Sequence, residues 1–212
     1  MTVTAPVIQS AAKGLTQVVG LTVEQYDHLI AHEKIAQNPA TELIGGIIVR
    51  KDRSHLGEDS MTVGHLHAWV IDQLTELVPD VRSAGARLRI QLPIALPPSH
   101  EPEPDGAVVR AIPGGYVDRH PQPGDVHCVI EVVDSSLEND RVVKSAAYAG
   151  AGIGCYILVN LVDRKIEIFT QPDIKSCRYA HSQHVLPGSM VTIPTGDNGK
   201  IEIPASRLIP RV

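Results

Sequence analysis

Between Asp105 and Lys144 the sequence sets three charged residues in contexts that ask for a chemical explanation. Asp105 ends a proline-rich loop, Glu-Pro-Glu-Pro-Asp. Glu131 stands inside the apolar run Val126-His-Cys-Val-Ile-Glu-Val-Val133, and Lys144 falls on the helical stretch that follows. A carboxylate flanked by β-branched residues on both sides has to be paired, metal-bound or protonated, because an isolated charge is too costly to take out of water. Two acids and an amine of this kind are the minimum for holding a divalent cation against a phosphodiester. A buried structural ion pair at Glu131 and an ordinary turn at Pro104-Asp105-Gly106 are the competing explanations of the same residues.

The surrounding elements are legible from period and punctuation. Thr22 opens a helix to about Glu33, with Glu24 and Gln25 in its first turn. Glu42 to Arg50 reads as a strand or hairpin arm bent at Gly45-Gly46, followed by a polar loop over Lys51–Ser60. From Met61 to Val78 the apolar positions Leu66, Val70, Leu74, Leu77 and Val78 follow a helical period, and Pro79-Asp80 is expected to stop that helix. Ala86–Leu92 and Gly106–Ala111 read as short strands, Ile112–Asp125 as loop, Val126–Val133 as a buried central strand and Ser136–Ala149 as a helix ending at Gly150 or Gly152. A hairpin over Cys155–Asn160 and Lys165–Thr170 and strands near Val185, Met190 and Ile201 complete the order. The expected class is therefore α/β of the mixed α+β kind, a central mixed sheet flanked by helices. Residues 1–20 are expected to be a loose segment and 21–212 a single domain.

Composition narrows the function classes. The chain has 212 residues, 43% of them apolar, which is material for one sizeable core. One Phe, one Trp and five Tyr are too few for a stacking platform that reads single strands. A net charge of -5 with pI about 6.0 argues against non-specific coating of nucleic acid, although Arg82, Arg87, Arg89, Arg141 and Lys144 could form a local basic rim. Cys128, Cys155 and Cys177 are odd in number and widely spaced, so neither a disulfide framework nor a zinc knuckle is indicated, and a reducing cytoplasmic setting is expected. Neither a signal peptide nor an apolar run of membrane-spanning length is read, so no membrane association is expected.

Taken together, Pro104-Asp105, Ile130-Glu131-Val-Val-Asp-Ser, Asp140-Arg-x-x-Lys144-x-x-x-Tyr148-Ala and Gly152-Ile-x-x-Tyr156-Ile-Leu-Val-Asn resemble the Uma-type restriction endonuclease family, a branch of the PD-(D/E)XK nuclease superfamily. Leu21-Thr-Val-Glu-Gln-Tyr26 is similar to that family's opening helix, and Thr41-Glu42-Leu-Ile-Gly-Gly46 to its Tyr-Glu-Leu-Ile-Asp-Gly strand. The resemblance runs from residue 21 to about 205. It implies a restriction-endonuclease-like fold, metal-binding carboxylates at Asp105 and Glu131 with Glu42 as a further active-site acid and ligand, and a catalytic lysine at Lys144. That lysine comes from the helix, since Val133 occupies the position two after Glu131. Gly45 and Ile157 stand where the family has Asp and Trp. His67, Tyr148 and Arg141 are accessory candidates. His67 lies on the inward face with Val70, Ile71, Leu74 and Val78, where it is either a core histidine or part of the site; with His65 alone it makes no zinc site.

The activity so implied is Mg²⁺-dependent hydrolysis of DNA, double-stranded, with Mn²⁺ as a substitute and a homodimer through the Cys155–Thr170 strands as a further expectation. The rival readings are an inactive DNA-binding or assembly protein that keeps the fold, and a phosphodiesterase for a small nucleotide.

Overall fold

The computed structural model describes residues 19–35, 41–50, 64–134 and 138–210. The expectations for residues 1–18, the Lys51–Ser60 loop, Met61–Val63 and the start of the helix at Ser136 lie outside these residues.

Helix α1 (Val23–Ala31) begins at a capping box. The Gln25 amide donates to the Thr22 hydroxyl at 3.2 Å and the Thr22 amide donates to the Gln25 side chain at 3.0 Å, which satisfies two of the orphan donors of a helix start. Buried Tyr26 donates its hydroxyl to the Thr41 carbonyl at 2.9 Å and so ties α1 to the hairpin of β1 (Thr41–Ile44) and β2 (Ile47–Arg50). Gly45 and Gly46 form its two-residue turn with φ of +59° and +78°, the left-handed pair that matches the twist of the flanking strands.

Helix α2 (His65–Glu76) buries Val70 and Leu74. It does end before Pro79, but Pro79 does not end helical structure: it sits in the first turn of a second short helix, α3 (Val78–Ser83). A proline is tolerated there because its missing N–H would have had no intrahelical partner.

A six-stranded sheet follows, built from β3 (Ala86–Ile90), β4 (Gly106–Arg110), β5 (Val126–Val133), β6 (Cys155–Asn160), β7 (Lys165–Asp173) and β8 (Arg178–Val185), in that spatial order. Every pairing is antiparallel except β5 with β6, which helix α4 (Glu138–Gly150) joins as a crossover. A separate pair, β9 (Met190–Pro194) and β10 (Lys200–Pro204), adds Val191, Ile193 and Ile203 to the core.

Strand β5 is hydrogen-bonded on both sides and covered on both faces, which is why its sequence is a continuous apolar run. Cys128, Ile130 and Val132 join the core beneath α2 and α3, with Leu74, Leu77 and Ile157. Val129 joins the opposite core, with Tyr148 of α4, Tyr156 and Leu158. Glu131 alternates with the first set and therefore faces α4. A fully buried side chain such as Ile130 contributes roughly 1.5–3 kcal/mol, so a one-residue slip that moved Glu131 into the lower core would be strongly disfavoured.

The sheet order corrects the expected dimer edge. Strands β6 and β7 are interior, each paired on both sides, and among the described residues the sheet's outermost strands are β3 and β8. Strand β8 turns out long and polar, exposed along most of its length. Among the described residues, no helix is long and apolar enough to cross a membrane.

Candidate active site

Asp105 is placed by the sheet. It directly precedes β4, whose first residue, Gly106, is in register with Ile130 of β5. Its carboxylate thereby reaches across to β5, where Oδ2 accepts the Val132 amide at 3.0 Å. The other oxygen, Oδ1, lies 3.2 Å from Nε2 of His67 and accepts the Gln91 side-chain amide at 3.3 Å. His67, at the first turn of α2, is thus brought against Asp105, while His65 is exposed. Gln91 carried no signal in the sequence. It holds φ at +48°, outside the usual range for a side-chain-bearing residue, and its amide also donates to the Asp105 carbonyl at 3.2 Å. That strain sits beside the site it supports.

Glu42 arrives from the hairpin. Leu43 of β1 exchanges backbone hydrogen bonds with Glu101, at 2.7 and 3.3 Å, so the segment Glu101-Pro-Glu-Pro-Asp105 runs alongside β1. Two prolines hold the residues before them extended, which makes this loop a fixed spacer. The Glu103 amide donates to Oε1 of Glu42 at 2.9 Å, and the same oxygen accepts the Lys144 ammonium at 3.0 Å.

Lys144 and Tyr148 lie one helical turn apart on α4 and converge on Glu131. The Tyr148 hydroxyl donates to Oε1 of Glu131 at 2.6 Å, and the Lys144 ammonium lies 3.3 Å from that oxygen. Glu42, Asp105 and Glu131 are each more than nine-tenths buried. Burial pushes the Glu131 carboxyl up; Lys144 and Tyr148 oppose this, while the neighbouring carboxylates of Asp105 and Glu42 add to it. Burial also works against the charge of Lys144, but Glu131 and Glu42 outweigh it and hold the ammonium above the ordinary lysine range. Burial and the negative charge of Glu131 raise the Tyr148 phenol, which stays a hydrogen-bond donor.

Glu42, Asp105, Glu131, Lys144, His67 and Tyr148 are therefore brought together. Arg141 lies on α4, but its side chain is outside the described residues. The basic rim needs correction: Lys144 is enclosed by carboxylates, and Arg89 is half-buried, with its guanidinium 5.7 Å from the Tyr116 ring centre and donating to the Pro93 carbonyl at 3.4 Å. Arg82 and Arg87 line a separate groove beside α3 and β3.

A second group escaped sequence reasoning altogether. Donor atoms of Asp27, Glu101 and His120 all lie within 4.8 Å of one another, a spacing able to hold a metal ion. Their separation along the chain leaves no motif. Burial and, after it, the neighbouring Asp27 carboxylate together push the Glu101 carboxyl up to about 8.

Comparison with known proteins agrees with this architecture. A crystal structure from Anabaena variabilis ATCC 29413, described as a "putative nuclease belonging to DUF820", superimposes with a TM-score of 0.60 at 16% identity, covering 89% of this chain and 97% of that one. At that identity the likeness establishes the fold, a mixed sheet flanked by helices. No curated protein matches the sequence. The family model Uma2, described as "Putative restriction endonuclease", matches residues 23–197, a span that includes both carboxylate groups and all of the six-stranded sheet, and the chain belongs to that family.

Proposed function

We propose that the protein is a metal-dependent endonuclease that hydrolyses phosphodiester bonds of double-stranded DNA at the Glu42–Asp105–Glu131–Lys144 centre. The observation that carries this reading is the charge arrangement: among the described residues, buried Glu42 and Glu131 both meet the Lys144 ammonium, with the buried carboxylate of Asp105 bonded to the Val132 amide beside Glu131. Ionised, these acids outnumber the Lys144 ammonium that touches Glu42 and Glu131, an excess of negative charge that suits a divalent cation. Their oxygens are the hard donors that Mg²⁺ and Mn²⁺ prefer. Among the described residues, the contacts of Glu131 with Tyr148 and Lys144 are both made through Oε1, which leaves its second oxygen suited to a ligand bond. When bound, such an ion supplies a Lewis acid and a water of lowered pKa.

The chain's own residues supply the positioning. His67, Gln91 and the Val132 amide hold both oxygens of Asp105, and the Glu103 amide holds Glu42, so the carboxylates need little reorganisation. Tyr148 orients Glu131. The ammonium of Lys144, already in place between two carboxylates, is suited to orienting the attacking water or to stabilising charge on the phosphoryl oxygen as it develops.

Incubation of the purified protein with supercoiled plasmid and Mg²⁺ or Mn²⁺, beside Lys144→Ala and Glu131→Gln, tests the reading. Metal-dependent nicking or linearisation by the native protein, abolished in both variants, is expected; equal behaviour of all three with and without metal overturns it. Duplex binding that does not weaken with salt would count against a polymeric substrate.

A further inference from the structure

Glu101 is a buried carboxylate with an unfilled hydrogen-bonding capacity. Only 4% of the residue is accessible, and its Oε2 accepts no hydrogen bond. Its other oxygen lies 3.9 Å from Nε2 of His120, too far for a hydrogen bond. A buried polar atom in this state calls for a partner: either a proton shared with the neighbouring Asp27 carboxylate or a cation held between the two. The adjoining space supplies a route for one: Asp27 and His120 line an open groove of about 770 Å³, with Glu24 and Asp118 also on its walls. These acids favour entry of a cation. The one arginine of the groove, Arg119, is already paired with Asp125 at 2.6 Å.

We propose that Asp27, Glu101 and His120 form a second divalent-metal site, separate from the Glu42–Asp105–Glu131 centre, that takes a transition ion of the Mn²⁺ or Zn²⁺ class. One imidazole with two carboxylates selects such an ion over Mg²⁺, which favours oxygen donors alone. Ligand atoms bound at roughly 2.0–2.2 Å stand closer to one another than 4.8 Å, so the group closes slightly on binding. Asp27, exposed on α1, is the member free to move. The three ligands come from α1, the loop before β4 and the loop after it, segments that backbone hydrogen bonds from Val23 to the Pro98 carbonyl and from Ala95 to the Pro121 carbonyl, each at 2.9 Å, already hold together, so the ion would reinforce an existing junction. Glu101 is also bonded through its backbone to Leu43, the neighbour of Glu42, so the clamp is continuous with the support of the principal site. The open groove beside Asp27 and His120 would let water supply the remaining ligands.

Co²⁺ is the probe, added to the full chain after chelation, with visible absorption and equilibrium dialysis as readouts. Asp27→Asn and His120→Ala change surface or half-exposed side chains, and Asp105→Asn with Glu131→Gln remove the principal centre. The proposal expects Co²⁺ absorption to persist in Asp105→Asn/Glu131→Gln and its affinity to fall at least tenfold in His120→Ala and in Asp27→Asn. If the last two bind Co²⁺ as the native chain does, or if the Asp105→Asn/Glu131→Gln protein binds none, the second site is overturned. Plasmid cleavage is read separately, so loss of nuclease activity alone bears only on the principal centre.

Discussion

Lys144 and Glu42, 102 residues apart in the chain, meet at 3.0 Å in the interior. The contact joins the hairpin to the crossover helix, and the same ammonium reaches Glu131 on the central strand. One side chain thus neutralises acids contributed by two different elements, and the site and the fold's stability depend on it together.

Replacing Lys144 by Met should destabilise the protein by about 3–5 kcal/mol at neutral pH, because two buried carboxylates lose their cation. The pH dependence has a definite sign. Glu131 has a raised carboxyl in the folded state, so its contribution is fully present below the unfolded value and is lost as pH rises through the folded one. Lys144→Met removes the charge opposing that rise, and its stability should fall more steeply than the native protein's as pH increases above the ordinary carboxyl range. Urea denaturation at several pH values checks this; parallel curves would contradict it. In the native chain Lys144, also raised, contributes stability that holds below the ordinary lysine value and fades at more alkaline pH.

Tyr148→Phe should cost roughly 1.5–3 kcal/mol, the range for a hydrogen bond to a charged group. The missing hydroxyl also ceases to lower the Glu131 carboxyl. The acidic limb of a metal-binding or cleavage profile should consequently move to higher pH, while a purely structural role for Tyr148 would leave that limb in place.

Glu101 offers a separate window. Its carboxyl rises from near 4.5 to about 8, so in chelated buffer it favours the fold fully below pH 4.5 and loses that contribution as pH increases toward 8. Glu101→Gln should flatten the decline across this interval and be the more stable protein at pH 8–9. Thermal unfolding of both proteins with EDTA present is the measurement, and an unchanged slope would refute the assignment.

The two turn glycines should respond differently. A Cβ at Gly46 would lie 2.8 Å from Gly20 Cα and 3.0 Å from the backbone of Leu21, at a φ of +78°. Gly46→Ala should therefore cost more than the ~1–2 kcal/mol of the left-handed conformation alone and disturb the placement of Glu42. At Gly45 nothing lies within 4 Å, and Asn tolerates its φ of +59°, so Gly45→Asn should be within about 0.5–1 kcal/mol of neutral. Chemical denaturation of the pair gives the contrast.

Local rules determined much of this protein from sequence alone. The run around Glu131 marked a strand buried on both faces, Gly45-Gly46 a tight hairpin, and the four-residue spacing of Lys144 and Tyr148 a shared helical stripe, because periodicity and turn chemistry act over a few residues. Pro79 marks the limit of such rules: whether a proline ends a helix or begins one, as here in the first turn of α3, depends on where the chain turns. Only the tertiary structure decided that His67 and Gln91 hold Asp105, that Lys144 is enclosed and not on a basic rim, that β8 and not β6–β7 is an outermost strand, and that Asp27, Glu101 and His120 converge. These relationships follow from strand order and from packing between distant segments, and the energies that select them are summed over the whole core, so no short stretch of sequence encodes them.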